Sequence, residues 1–397
     1  MEPTPLTASA GKRGAGIRSD CYFEITPKKS GGIKLILTNQ STSLFDETNR
    51  AFITELCQFF SIKNAEVLFE DSGALPFVIA ARFESAIKKL SPSESKEFLL
   101  PFNKKNNYRS SLNRLRRSRL YLPGNEPKFF INAGLHNPDG IILDLEDSVA
   151  HAEKPAAQLL VRNALRSVDF YGSERMVRIN QLPAGLSDLA FIIPNNVHVI
   201  LIPKCETPKQ VIEVENEVNR IKKDKNIRNE IFYMPIIESA LGTINAYKIA
   251  TASANICALT IGLEDYTADI GVQRTPEGKE SIFARSAVIN AAKAAGVQAI
   301  DTVFSDVEDM QGLRNSVLEA KAIGFEGKGC IHPRQIPVVH QSFAPTPEEL
   351  ERARKIVNAF EEAKAKGLGV VSLGSKMIYA PVVKRAQRTI YLSELMS

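Results

Sequence analysis

The chain of 397 residues has few cysteines, and no two of them form a CxxC pair. The five are scattered along the sequence, at Cys21, Cys57, Cys205, Cys257 and Cys330. Isolated cysteines in a chain of this size are typical of reduced core residues in a cytoplasmic protein. No cluster of histidines and cysteines is present either, which argues against a zinc site.

Long apolar runs are also absent, and the start of the chain has no apolar core of a secretory signal. We therefore expect a cytoplasmic protein without a membrane segment. The net charge is only +5, and the basic residues are too dispersed to indicate nucleic-acid binding. A mildly basic chain suits an anionic small substrate. No glycine-rich phosphate loop of the P-loop type is present.

Composition and pattern divide the chain into five segments. Residues 1–16 are small and polar, and we predict that they are disordered. Residues 17–90 are predicted to form a small α/β domain, and residues 91–116 a basic linker. Residues 117–343 carry alternating strand and helix patterns, and residues 344–397 are predicted to form an amphipathic helix and a C-terminal extension.

Within the first domain, CYFEIT and GIKLILT look like strands on either side of the Gly31-Gly32 turn, and AEVLFED looks like a third. A helix is indicated by the spacing of Phe45, Phe52, Leu56 and Phe59. The linker ends densely basic, with Lys104, Lys105, Arg109, Arg114, Arg116 and Arg117. It is either a solvated connection or a segment that lies against a phosphorylated ligand.

Eight short apolar runs alternate with helical patterns in the largest segment. They are SRLYLP, GIILDLE, RMVRIN, HVILIP, IFYMPIIE, CALTIGL, VQAIDTV and GKGCIHP. Eight βα units favour a (β/α)8 barrel, whose catalytic residues lie at the carboxyl ends of the strands. Polar residues end most of these runs: Asp144, Glu146, Arg178, Asn180, Lys204, Glu206, Glu238, Glu264, Asp265, Asp301 and His332.

The second run ends in a cluster of three acids, Asp144, Glu146 and Asp147. Such a cluster needs a cation or hydrogen bonds to offset the repulsion between its charges. Glu238 and Asp265 follow neighbouring strands, and two carboxylates in this arrangement suit Mg²⁺. The alternative for each is an ion pair with a Lys or Arg at the rim.

Other polar strand ends allow two interpretations each. Arg178 either binds a substrate carboxylate bidentately or forms a buried ion pair with the Asp144 group. Lys204 either forms a Schiff base or, more commonly in such a place, an ion pair with an acid such as Glu206. His332 is either a catalytic base or a structural residue.

The whole set of motifs resembles the citrate lyase β-subunit family, the Mg²⁺-dependent thioester lyases related to the HpcH/HpaI aldolases. The matching stretches run in order from RSRLYLPGNEPKF through DGIILDLEDSVAHAEKPAA, MVRIN, LIPKCET, IIESALG, IGLEDYTADIG and AIDTVFSD to GFEGKGCIHPRQI. The resemblance implies a (β/α)8 barrel that assembles as a trimer or hexamer. It also implies Mg²⁺ ligands at Glu238 and Asp265, a substrate-binding Arg178, and thioester contacts by Arg117 and Lys128.

The first domain resembles the citrate lyase γ-subunit, an acyl carrier, through AGIRSDCYFEITP and FEDSGALPFVIAARFESAI. That resemblance implies a phosphoribosyl-dephospho-CoA arm on a serine, for which Ser19 is the candidate; otherwise Ser19 is an ordinary loop serine. No stretch resembles the α-subunit, so a separate transferase partner is expected. Where related lyases have an acid in the C-terminal lid, MIYAP has Tyr379, which argues against thioester hydrolysis and leaves the proton-transfer group open.

The function expected from these resemblances is Mg²⁺-dependent cleavage of a 3-hydroxyacyl thioester of the citryl type into an acyl thioester and an α-keto acid such as oxaloacetate. Asp144, Glu146 and Asp147 are expected to support catalysis around Arg178 and the metal. Three alternatives remain: a lyase for free malyl-CoA or citramalyl-CoA with a vestigial carrier domain, a non-catalytic carrier or scaffold subunit, and an aldolase for free oxo acids.

Overall fold

The computed structural model describes residues 7–39, 45–275, 277–365, 367–373 and 376–396. The N-terminal part, residues 8–90, is a four-stranded sheet with two helices, which we call the carrier-like domain. Its elements are β1 (Ala8–Gly11), β2 (Asp20–Pro27), β3 (Ile33–Asn39), α1 (Asp46–Phe59), β4 (Ala65–Ser72) and α2 (Pro76–Leu90). Alternate residues of β2 and β4 are buried, as expected for strands with one face on a core.

The sheet order, β1-β2-β4-β3, differs from the sequence expectation in two ways. Residues 8–11 are not disordered, because β1 pairs antiparallel with β2 and buries Ala8 and Ala10. The strands on either side of the Gly31-Gly32 turn are not neighbours, because β4 lies between them and pairs in parallel with β3. Long-range pairing of this kind leaves no local sequence signal. Residues 1–6 lie outside the described part of the chain.

Helix α2 joins the carrier-like domain to the rest of the molecule. All residues from Phe77 to Ile87 are buried, because one side of the helix covers the sheet and the other packs against helix α3 (Lys154–Ser167). Glu84 of α2 accepts two hydrogen bonds from Arg162 of α3, at 3.0 and 2.7 Å. Both side chains are fully buried at this contact, so the two domains share one packed interface.

A closed barrel of eight parallel strands follows, which confirms the predicted (β/α)8 fold. Its strands are β5 (Ser118–Pro123), β6 (Gly140–Asp144), β7 (Glu174–Arg178), β8 (Val199–Ile202), β9 (Phe232–Ile237), β10 (Ala258–Ile261), β11 (Gln298–Val303) and β12 (Gly327–Cys330). The helices after α3 are α4 (Gly185–Ile192), α5 (Pro208–Asp224), α6 (Ala240–Ala250), α7 (Leu263–Asp269), α8 (Ile282–Ala295), α9 (Met310–Ile323) and α10 (Gln335–Phe343). All five cysteines are buried and free, as predicted for core residues.

The segment before the barrel is not a solvated linker throughout. Arg116 is 1% exposed and donates to both carboxylate oxygens of Glu174 at 2.7 and 2.8 Å. Its guanidinium also bonds to Gln298. Glu174 and Gln298 are the first residues of their strands, so this basic segment lies at the amino-terminal end of the barrel, away from any ligand at the other end.

The C-terminal segment forms helix α11 (Pro347–Ala365), the hairpin β13 (Val371–Leu373) and β14 (Lys376–Ile378), and helix α12 (Ala380–Met396). Arg388 of α12 binds Glu326, just before β12, at 2.5 Å. The extension therefore packs beside the amino-terminal end of the barrel and does not cover the carboxyl ends of its own strands. Among the described residues, no helix is long and apolar enough to cross a membrane.

Candidate active site

The carboxyl ends of β5 to β12 surround a cavity of about 370 Å³, which we call the mouth cavity. Because parallel strands all end at the same side of the barrel, residues far apart in sequence meet here. Its polar lining includes Arg119, Tyr121, Asp144, Asp147, Ser148, Arg178, Glu238, Thr260, Glu264, Asp265, Asp301 and Thr302. The sequence therefore placed the acids and Arg178 at the correct end of the fold.

Asp144 and Arg178 form a buried ion pair in the cavity wall. The Arg178 guanidinium donates from Nε and Nη2 to the two Asp144 carboxylate oxygens, each at 2.7 Å, and Ser148 adds its hydroxyl and amide. Burial alone would raise the pKa of Asp144, but the bonds from Arg178 outweigh it and lower that pKa. The ion-pair interpretation of Arg178 thus holds, and its Nη1 lies 2.9 Å from Glu146.

Lys204 is the cation that the acids after β6 face. Its ammonium lies 2.9 Å from Glu146, 3.3 Å from Asp147 and 3.9 Å from Asp265. Burial would lower the pKa of Lys204, but these carboxylates outweigh it and raise that pKa above its ordinary value. A lysine held protonated is a poor Schiff-base nucleophile, so the structure favours the ion-pair interpretation, with Glu146 and not Glu206 as partner.

Glu238 follows β9 directly and is 4% exposed. Burial raises the pKa of its carboxyl to about 8; the amide of Lys204, donating to Oε1 at 2.6 Å, opposes the rise, and Asp265 and Glu146 add to it. Gly262 leaves room for this carboxylate, because a Cβ at that position would lie 2.5 Å from Glu238 Oε2. The carboxylate is therefore crowded by negative charge and would gain from a nearby cation.

The residues present suit Mg²⁺ better than a softer metal. Glu238 and Asp265 line the same cavity, and Mg²⁺ is commonly held by one or two carboxylates plus water and substrate oxygens. Within the described ranges, no group of three or more His, Cys, Asp and Glu residues is arranged to hold a metal by itself. The donor set thus matches an ion that shares its coordination with a ligand.

The floor of the mouth cavity carries polar groups that the sequence patterns missed. Arg119 is the second residue of β5, and Thr260 lies in β10; both are buried and both line the cavity. Asp301, which the sequence did identify as a polar strand end, also lines the cavity, and its carboxyl group accepts from Lys328 at 2.7 Å and from Arg285 at 3.3 Å. The alternation of Arg119, Tyr121 and Pro123 along β5 was the available signal, since alternate residues of a barrel strand face inward.

The two residues expected near the thioester arm lie at opposite ends of the barrel. Arg117 precedes β5 and binds Asp139 through Nε and Nη2, each at 2.9 Å, so its place at the amino-terminal end contradicts the expectation. Lys128 follows β5 at the mouth side and lies 3.4 Å from Glu126. Of the two, Lys128 is the one on the mouth side of the barrel.

Ser19 lies in the loop between β1 and β2, immediately before β2. Its backbone has φ of 56°, and its amide donates to the carbonyl of Ser72 at 2.8 Å. Lys12 of the same loop forms an ion pair with Glu126, in the β5–β6 loop. The loop that carries Ser19 therefore contacts a loop at the mouth side of the barrel.

Two further candidates lie outside the mouth cavity. His332 follows β12, where its Nδ1 accepts from the amide of Arg334 at 3.2 Å, which is a structural role. Tyr379 follows β14 and is half-exposed on the C-terminal extension. Neither side chain lines the cavity of its own barrel.

Two family models match the chain. Residues 117–333 match HpcH/HpaI aldolase/citrate lyase, and residues 8–90 match ACP, the malonate decarboxylase delta subunit (MdcD). The two matches cover the barrel and the carrier-like domain.

Several relatives match about 70% of this chain over most of their own length. The chain is 41% identical over 283 residues to citrate lyase subunit beta of Leuconostoc mesenteroides subsp. cremoris, covering 70% of this chain and 94% of the relative. It is 32% identical to mitochondrial citramalyl-CoA lyase of Mus musculus, over 70% of this chain and 86% of the relative. The crystal structure of CitE from Mycobacterium tuberculosis with magnesium, acetoacetate and coenzyme A is 29% identical, has a TM-score of 0.59, and matches 70% of this chain and 98% of that chain.

Proposed function

Because the chain belongs to the HpcH/HpaI aldolase/citrate lyase family of thioester lyases, we propose that it cleaves a 3-hydroxyacyl thioester of the citryl type. The products would be an acyl thioester and an α-keto acid such as oxaloacetate. The observation that carries the proposal is the mouth cavity, where Glu238 and Asp265 line the same wall as the Arg178 guanidinium. A cavity with two carboxylates and a cation suits a chelating, negatively charged substrate.

We assign Mg²⁺ to Glu238 and Asp265, and the structural relative that was solved with magnesium supports the choice of ion. When bound, the ion would polarise the carbonyl that forms on the α-keto acid as the carbon–carbon bond breaks. Asp144 fixes the orientation of Arg178 through Nε and Nη2, so we assign the remaining Nη1 to the substrate carboxylate. Glu146 lies at this Nη1 in the structure, so the substrate carboxylate would take its place there, while Lys204, 2.9 Å from the other oxygen of Glu146, would keep that side chain paired.

Proton removal falls to the acids after β6. Burial raises the pKa of Glu146 despite the opposing charge of Arg178, which makes it a stronger base than an exposed glutamate. We propose that Glu146, with Asp147 beside it, takes the proton from the substrate hydroxyl. The electron pair of the breaking bond then passes to the acyl thioester, which leaves as its enolate. Tyr379 takes no part in this step in its own barrel.

We propose that Ser19 carries the phosphoribosyl-dephospho-CoA arm. The support is the contact between the Ser19 loop and the β5–β6 loop through Lys12 and Glu126, which points the attachment site toward the mouth side. Lys128, next to Glu126, would then contact the phosphates of the arm. Tethering raises the effective concentration of the thioester to roughly millimolar values.

The alternative within the same chemistry is a lyase for free citramalyl-CoA or malyl-CoA, which the citramalyl-CoA lyase relative favours. Mass spectrometry of protein from its native host separates the two: an unmodified Ser19 would favour the free-thioester enzyme. A carrier-borne substrate also requires a separate acyl-transferase partner, which the two matched domains do not supply.

We also propose a homo-oligomer, a trimer or hexamer. Helices α6 and α8 expose large apolar side chains: Leu241, Ile244, Tyr247, Ile282 and Phe283, of which Ile244 is 72% exposed. Exposed apolar patches of this kind are common at subunit interfaces. Light scattering after size-exclusion chromatography would test it, and a monomeric mass at micromolar concentration would contradict it.

The function itself is tested with a panel of citryl, malyl and citramalyl thioesters, assayed for released keto acid with and without Mg²⁺. Glu238→Ala and Asp265→Ala should each abolish Mg²⁺-dependent cleavage, because each removes a metal ligand. Asp224→Ala, which removes an exposed acid paired with Arg220 on α5 and outside the mouth cavity, is the control and should retain activity. Near-normal turnover of both ligand variants would refute the metal assignment, and a wild-type enzyme inert on all three thioesters would refute the function.

A further inference from the structure

Arg119 is an arginine at the floor of the mouth cavity. It is the second residue of β5, it is 1% exposed, and its side chain crosses the barrel interior. Its guanidinium lies 3.0 Å from the sulfur of Met234, 3.0 Å from the hydroxyl of Thr260 and 3.5 Å from the carbonyl of Asp301. All three partners are neutral groups.

No described acidic side chain forms an ion pair with Arg119, and no described group accepts a hydrogen bond from its Nε. Other buried arginines of this molecule are neutralised: Arg82 binds Asp20, and Arg116 binds Glu174. Burial lowers the pKa of Arg119, and the smaller opposing contributions of Tyr121, Cys330 and Cys257 do not offset it. A buried guanidinium without an anion is costly, so an anionic ligand would stabilise it.

Position distinguishes Arg119 from a structural arginine. Arg175 also lacks an acidic partner among the described residues, but it stacks over the ring of Tyr108 at 4.4 Å and does not line the mouth cavity. Arg119 lines the cavity that Glu238 and Asp265 also line. The Arg119 side chain is therefore next to space that a substrate can occupy.

The register of the barrel gives the depth of Arg119 below the metal site. Its guanidinium bonds to Thr260, which is paired with Ile236 of β9, and Glu238 lies two residues further along that strand. Two residues of a parallel strand rise by about 7 Å. A keto acid held at Glu238 by its carbonyl and first carboxylate could thus direct a second carboxylate down to Arg119.

We propose that Arg119 binds the second carboxylate of the oxo-acid half of the substrate and so selects dicarboxylic over monocarboxylic products. The inference rests on the proposed lyase function and assigns its substrate class. Citryl thioesters carry a carboxymethyl group where citramalyl thioesters carry a methyl group. Only the carboxymethyl group of a citryl thioester would neutralise the Arg119 guanidinium, through charge-assisted hydrogen bonds.

The test compares kcat/KM for citryl-CoA and citramalyl-CoA, with Mg²⁺, in wild type and in Arg119→Met. The wild type should prefer citryl-CoA, and the variant should lose about 10- to 150-fold in kcat/KM for it, the range of a charged hydrogen bond. Its kcat/KM for citramalyl-CoA should stay within about threefold. Ile142→Val, which changes a buried apolar side chain of the same barrel interior without removing a hydrogen-bond partner of Arg119, is the matched control and should leave the ratio unchanged.

Arg119→Met removes a buried charge and keeps a long side chain, so its melting temperature should equal or exceed that of wild type. If it nevertheless fails to fold, Thr260→Val removes only the hydroxyl that orients the guanidinium, and the ratio should shift in the same direction by a smaller factor. Equal loss for both thioesters, or an unchanged ratio, in an enzyme that cleaves citryl-CoA would overturn the inference and leave the lyase function intact. Absence of cleavage in wild type would overturn the lyase function itself.

Discussion

The contact between Glu84 and Arg162 predicts that the carrier-like domain and the barrel unfold together. The Arg162 guanidinium donates to both Glu84 oxygens, and neither side chain is exposed to solvent. We expect Glu84→Ala to leave the Arg162 charge buried with a weaker partner, Glu97, which is 3.2 Å away and 40% exposed. The change should therefore destabilise both domains at once.

The size of the effect follows from burial. Removing one partner of a fully buried ion pair costs about 3–5 kcal/mol in free energy of unfolding. Because Glu97 remains as a partial substitute, we expect Glu84→Ala to fall near the lower end, at about 3 kcal/mol. The exposed pair between Lys34 and Glu66 is the matched control, and Glu66→Ala should leave the free energy of unfolding nearly unchanged.

The assay is urea denaturation followed by far-UV circular dichroism, combined with native-state hydrogen exchange. In the variant, amides of α2 and α3 should exchange faster to the same extent, because they lose protection through one opening. A second variant that also replaces the cation, Glu84→Leu with Arg162→Met, should recover most of the loss, since no buried charge is left unpaired. The reasoning would be refuted by a cost below 1 kcal/mol or by separate unfolding of α2 in the wild type.

Three further predictions concern the mouth and the amino-terminal end of the barrel. Gly262→Ala should weaken Mg²⁺ binding in calorimetry, because the new Cβ would contact Glu238 Oε2, whereas Gly369→Ala, with open space around it, should not. Glu146→Gln should reduce Mg²⁺ dependence less than Glu238→Gln does, and an equal loss would place Glu146 among the direct ligands. Burial lowers the pKa of His198 in the folded protein to about 3, whereas a histidine in the unfolded chain has a pKa of about 6.5. As the pH falls below about 6.5, His198 therefore binds a proton in the unfolded state but not in the folded state. Stability should decrease by about 2 kcal/mol between pH 6.5 and pH 5, and His198→Gln should remove this dependence in thermal unfolding scans.

The barrel was predictable because its strands have strong local signals. Eight apolar runs, most of them ending in polar residues, identify both the (β/α)8 fold and the end of the barrel where Glu238 and Asp265 meet. The sequence also identified the two possible roles of Arg178, which were binding a substrate carboxylate and forming an ion pair with Asp144. In these cases, the alternation of strands and helices along the sequence implies parallel strands. Residues at the carboxyl ends of parallel strands meet at one end of the barrel.

Other features depend on partners that no local pattern reveals. Three such features arise from contacts between distant parts of the chain. They are the position of β4 between β2 and β3, the pairing of β1 with β2, and the contact of Arg117 with Asp139. Arg119 escaped detection for a different reason. An arginine inside an apolar strand is exceptional, and its role depends on which strands face it across the barrel.

The shared interface of α2 and α3 has a consequence for how activity should depend on dilution. A carrier that is a separate subunit leaves its enzyme as the protein is diluted, so its turnover per enzyme falls. Here Glu84 and Arg162 hold the two domains within one chain and one fold. If Ser19 carries the arm, each barrel always has one thioester within reach, and the rate of cleavage per chain should be the same at nanomolar and at micromolar protein.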